Sequence, residues 1–99
     1  MRRNEAVARL ERIAPDLRAF GVAHLYLFGS VARDEAGPAS DLDVFVDPRG
    51  AEFLRLDSFM APFALIEQAF PEMPVGYSTR EGLSAYVRGT IEEEAVQVF

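Results

Sequence analysis

The sequence predicts an α/β or α+β domain. Three observations carry that expectation. Apolar residues recur at the helix period near the start and again in the middle of the chain. Short apolar and aromatic runs of strand length fall between them. Glycine and proline punctuate the junctions, giving the rough order α-β-α-β-α-β-α. Ninety-nine residues suit one domain spanning 1–99. A chain of this size buries about 65% of its unfolded surface, enough for one core.

At the N-terminus, Asn4 is a fair N-cap with Glu5 just inside the helix it would start. Val7, Leu10, Ile13, Leu17 and Phe20 follow in steps of three or four. Pro15 lies within that stripe and either kinks the helix or opens a second one after Ala14; Gly21 is a good stop. VAHLYLF (22–28) reads as a buried strand. Gly29-Ser30 turns the chain, SVAR opens a short helix, and DEAGPAS (34–40) is a loop. Leu42 to Val46 is a second strand, closed by Asp47-Pro48-Arg49-Gly50. Residues 51–70 read as a helix striped by Phe53, Leu56, Met60, Phe63, Ile66 and Phe70, with Pro62 expected to kink or break it. Pro71 and Pro74 bracket a loop, and Val75 to Thr79 is a third strand. Glu81 to Arg88 is expected to be a short helix ended by Gly89, and the apolar stretch Ala95–Phe99 forms a last strand or tucks against the core.

Composition narrows the chemistry. Ten basic against sixteen acidic residues give a net charge of −6, whereas non-specific grip on nucleic acid needs a surplus of phosphate-neutralising cations. Metal ions, metal-bound nucleotides or a basic protein partner suit an acidic chain better. All ten basic residues are arginine. With no cysteine, disulfides, zinc–thiolate centres and thiol nucleophiles are excluded. MRRNEAVARLER has no apolar core behind its arginines, and no stretch approaches the roughly 20 apolar residues of a membrane span. A cytoplasmic location, with no membrane contact, is the expectation.

The chemistry concentrates in FGSVARDEAGPASDLDVFV (28–46). Asp41 and Asp43 are two apart, so on a strand they share a face, while Leu42, Val44 and Val46 take the apolar one. Carboxylates that close raise each other's pKa unless a cation sits between them, and Mg²⁺ is the natural one. Gly29 and Ser30 follow a strand and open a helix, where backbone N–H groups favour phosphate, glycine permits close approach and the hydroxyl adds a donor. Each element alone is weak; a D-x-D at a strand end is most often solvated turn chemistry. Together they outline a nucleotide–metal site suited to phosphoryl or nucleotidyl transfer.

G-S, ten residues, D-x-D resembles the motif of the polymerase-β-like nucleotidyltransferase superfamily. LYLFGSVARDEA…SDLDVFV and the small size look most like its minimal nucleotidyltransferases, the antitoxins encoded beside HEPN-domain toxins, and the likeness extends over nearly the whole chain to EGLSAYVRGTIEEEAVQVF. The resemblance implies the superfamily fold, a small mixed sheet flanked by helices. It implies that Gly29 and Ser30 hold the nucleotide phosphates and that Asp41 and Asp43 hold Mg²⁺. Arg33 matches an arginine of the extended motif, facing the phosphates or pairing with a nearby carboxylate. The implied activity is transfer of AMP from ATP to a partner protein, a HEPN toxin, within a homo- or hetero-oligomer.

One departure stands out. The superfamily's third carboxylate, metal ligand and base for the attacking hydroxyl, belongs on the neighbouring strand, where this chain reads Val75-Gly76-Tyr77-Ser78-Thr79. Gly76 stands in its place. Asp47, Glu72 and Glu35 are the residues from which a substitute would come. Without one, nucleotide binding is better supported than turnover, and the alternative is an inactive antitoxin that neutralises its partner by binding alone. His24, Tyr26, Tyr77 and the phenylalanines of 53–70 read as structural, and Glu92-Glu93-Glu94 as a solvated face.

Overall fold

The computed structural model describes residues 1–99, except the side chain of Leu54. Four helices and three strands make up the first part of the chain, and a fifth helix leads into the fourth and last strand. The order is α1 (Arg3–Arg12), α2 (Ala14–Ala19), β1 (Val22–Phe28), α3 (Gly29–Ala32), β2 (Leu42–Pro48), a 3₁₀ turn (Ala51–Leu54), α4 (Leu56–Ala69), β3 (Val75–Thr79), α5 (Ala85–Glu94) and β4 (Val96–Gln97). Strands lie in the order β3-β2-β1-β4. β1 runs antiparallel to β2 and β4, and β2 runs parallel to β3, so the sheet is mixed.

Period two decides what each face carries. Leu25 and Leu27 of β1 and Leu42, Val44 and Val46 of β2 are fully buried in a cluster with Leu10 and Leu17 of α1 and α2 and Ile66 of α4. The opposite face presents Tyr26, Phe28, Asp43 and Phe45. Phe45 is also fully buried, yet lies outside that cluster. It is covered by the Tyr26 ring, stacked at 4.7 Å, and by the Arg80 guanidinium 5.0 Å from its ring centre.

Three local expectations are corrected. Asn4 does not cap α1: the helix begins at Arg3, and its first N–H donates to Asp34 Oδ1 at 2.7 Å. The cap therefore comes from 31 residues away, on a residue held at φ 59°, which local sequence does not reveal. The 51–70 helix breaks at Arg55, whose backbone is extended, and Pro62 lies inside α4. Proline removes its own N–H there and crowds the Ser58 carbonyl one turn back, yet the helix continues with Pro62 buried. Finally, the last helix starts late. Ser84 caps it, accepting from the Tyr86 N–H, and it runs through Gly89 to Glu94. Its C-terminal half is fastened by ion pairs from Glu92 to Arg80 and from Glu94 to Arg33, so tertiary contacts outweigh the cost of a helical glycine. α2, by contrast, opens at Ala14 with Pro15 in its first turn, as one of the two sequence alternatives had it.

Candidate functional site

β1 ends at Phe28, and Gly29 turns the chain with φ 77°, a left-handed conformation that glycine adopts without strain. α3 follows at once, carrying half-buried Ser30, with Val31 and Ala32 buried. Phe28 is in register with Asp43 on β2, and Asp43 with Gly76 on β3. The carboxyl of Asp43 thus lies between two glycines. A Cβ on Gly29 would be only 2.4 Å from its Oδ2, and a Cβ on Gly76 only 2.7 Å from its Oδ1. A side chain at either position would push the Asp43 carboxyl aside, and at Gly29 it would also have to adopt the positive φ.

Asp41 is exposed and immediately precedes β2. The Leu42 N–H donates to the Pro74 carbonyl at 2.9 Å, which ties this end of β2 to the loop before β3. Partial burial raises the Asp43 pKa, the nearby charge of Asp41 raises it further, and Arg33 opposes both. A cation would relieve that repulsion. Two hard oxygen donors beside a solvent-open edge fit one Mg²⁺, which would screen phosphate charge and position the phosphates of a bound nucleotide.

Arg33 sits at the C-terminal end of α3, and its guanidinium donates to Glu35 at 2.7 Å and to Glu94 at 3.1 Å. Of the two roles open to it in sequence, it makes the carboxylate pairing here, and its charge still reaches Asp43. The three carboxylates named as substitutes for a third ligand are all held by arginines. Asp47 receives two 2.9 Å hydrogen bonds from Arg80, Glu72 one of 2.8 Å from Arg9, and Glu35 the one from Arg33. Asp47 is also four residues from Asp43, roughly 13 Å at strand rise. No group of three or more His, Cys, Asp or Glu side chains gathers as a metal site among the described residues.

Arg80 is the site-face residue that sequence reasoning missed. It follows β3, its N–H donates to the Val46 carbonyl at 3.0 Å, and its guanidinium lies over Tyr26 (4.8 Å) and Phe45 while holding Asp47 and Glu92. Those hydrogen bonds to Asp47 and Glu92 raise its pKa above the ordinary arginine value. No motif marks it; its partners come from three other segments. Tyr77 proves structural, its hydroxyl donating to the Phe59 carbonyl at 2.9 Å.

A hollow of about 400 Å³, lined by Phe20, Gly21, Arg49, Gly50, Glu52 and Phe53 among others, lies at the opposite end of β1 from Gly29. Its size does not make it the candidate site: Asp43, the exposed Asp41 and the Gly29 turn are at the other end of β1.

The sequence matches the nucleotidyltransferase domain family over residues 8–98. No curated protein matches it significantly. Among solved structures, one provisionally assigned as a minimal nucleotidyltransferase superposes with a TM-score of 0.79 at 27% identity, covering 97% of this chain and 95% of that one. The match spans all the elements that build the Gly29–Ser30 turn and the Asp41–Asp43 edge, and the chain belongs to the nucleotidyltransferase family as one of its minimal members.

Proposed function

We propose that this chain binds a Mg²⁺-bound nucleoside triphosphate, ATP in the first instance, and slowly transfers its nucleotidyl group to a hydroxyl of a partner protein: the hydroxyl oxygen bonds to the α-phosphorus, the bond from the α-phosphorus to the bridging oxygen breaks, pyrophosphate leaves, and the hydroxyl proton passes to solvent. The observation that carries this reading is the wedging of Asp43 between Gly29 and Gly76, beside Asp41. It puts the Asp43 carboxylate directly against the Gly29 turn. In this reading Gly29 and Ser30 take the phosphates, and Asp41 and Asp43 hold the cation. Arg33 would exchange Glu35 or Glu94 for a phosphate oxygen. The partner that the family likeness favours is a HEPN-domain toxin, with this chain as its antitoxin.

The missing third carboxylate favours low turnover. Loss of a general base costs about 10² to 10⁴ in rate, and the other carboxylates on this side are engaged by arginines. That same observation supports a second reading, in which the chain binds nucleotide and partner without transfer. Calorimetric titration with ATP, with and without Mg²⁺, tests the shared step. Binding that needs Mg²⁺ and is lost in Asp41→Asn/Asp43→Asn supports the proposal. No binding at millimolar ATP overturns it. Label from α-phosphate-labelled ATP appearing on the co-purified partner then separates the two readings.

A further inference from the structure

The geometry points to a site that takes one divalent cation per bound nucleotide, rather than the pair of ions that nucleotidyl transfer ordinarily employs. Gly76 sets that number. This inference rests on the reading that Asp41 and Asp43 hold a cation-bound nucleotide.

Two ions about 3.5–4 Å apart bring four positive charges and need carboxylates that bridge or flank them. At this end of the sheet the described residues offer Asp43 on β2 and Asp41 just before it, a charge of −2. The position on β3 in register with Asp43 is Gly76, which offers no ligand. The space beside it is taken: the Asp43 carboxyl lies where a side chain on residue 76 would begin, 2.7 Å from its Cβ position, with the Leu42 carbonyl at 3.8 Å. On its other side the Asp43 carboxyl lies against Gly29, where an added Cβ would meet its Oδ2. Ser78, next along that face of β3, donates its hydroxyl to the Thr79 carbonyl at 2.8 Å. A second ion would have Asp43 and water alone, whereas one ion has both aspartates and the phosphates.

Manganese(II) with α,β-methylene-ATP, an analogue blocked at the scissile bond, provides the test. Bound Mn²⁺ is counted per protein-bound nucleotide, and its electron paramagnetic resonance distinguishes a lone ion from a coupled pair. We expect one Mn²⁺ per nucleotide with a lone-ion signal, lost in Asp43→Asn. In Gly76→Asp, where the end of the Asp43 side chain must rotate by a few tenths of an ångström or more, we expect a second ion and a coupled signal; Gly76→Ala should keep one. Circular dichroism checks that each variant folds. Two coupled ions in the native chain would overturn this inference and leave the nucleotide site standing. A single ion in folded Gly76→Asp would overturn the role of Gly76. No bound Mn²⁺ would overturn the proposed function itself.

Discussion

Replacing Arg80 with methionine keeps an apolar stem over Tyr26 and Phe45 and removes the charge. The guanidinium makes two hydrogen bonds to Asp47, one to Glu92, and lies over two aromatic rings. Hydrogen bonds to charged groups contribute about 1.5–3 kcal/mol net, and each ring contact about 0.5–1 kcal/mol. Both Arg80 and Asp47 keep 26% side-chain exposure, so solvent trims the ion pair. We expect a loss of about 3 kcal/mol, or a fall in Tm of about 15 °C for a domain of this size. Urea unfolding gives the value directly. A cycle with Asp47→Asn should show a coupling of about 1–2 kcal/mol, since the residues touch. Hydrogen exchange of α5 should accelerate, because Glu92 is one of its two side-chain fastenings to the sheet side. A loss under about 1 kcal/mol, or strictly additive single variants, would refute the account of Arg80 as the tie between β2, β3 and α5.

The remaining predictions concern the two ends of α3 and the carboxylates that fasten α1. Gly29→Ala should lower Tm, because an L residue at φ 77° costs about 1–2 kcal/mol. It should also weaken Mg²⁺-dependent ATP binding about tenfold or more, one decade being 1.4 kcal/mol, because the new methyl displaces Asp43; unchanged affinity by calorimetry would contradict the wedged geometry. Asp34→Ala should destabilise the chain while Asp34→Asn retains most of the stability, since the α1 cap needs only a side-chain acceptor. Acid should act on the same groups. Asp34, accepting from the Arg3 N–H, and Glu72, accepting from Arg9, both have lowered pKa values. Their contribution is therefore full above the unfolded carboxylate range near pH 4. It is lost as pH falls through their folded values, where the unfolded state binds more protons. Melting between pH 7 and pH 2 should show that loss, and Asp34→Ala/Glu72→Gln should show less of it.

The strands and the spacing of the candidate site residues were legible because their cues are local. VAHLYLF is a strand-length apolar run closed by a glycine, and β1 covers those seven residues. The alternation of Leu42, Val44 and Val46 against Asp41 and Asp43 placed the core face of β2 before any tertiary information. Helix ends were less legible. The acceptor for the first N–H of α1 comes from Asp34, and the last turns of α5 are held by Arg80 and Arg33, all remote in sequence. Propensity at Asn4 and Gly89 could not compete with those contacts. The break at Arg55 rather than Pro62 follows the same logic, since packing of α4 decided where the helix runs.

By itself the sequence determined which residues are candidates for the chemistry: Gly29, Ser30, Asp41 and Asp43 at a fixed spacing, and Gly76 where the family resemblance implies a third carboxylate. Side-chain type and period-two alternation are properties of the chain, so they survive without coordinates. Only the tertiary structure decided how the remaining charges are shared. It set Asp43 between Gly29 and Gly76, gave Asp47, Glu72 and Glu35 to arginines, and brought Arg80 over the site face. Ion pairing depends on distances of a few ångströms between segments tens of residues apart, and strand register and helix packing fix those distances.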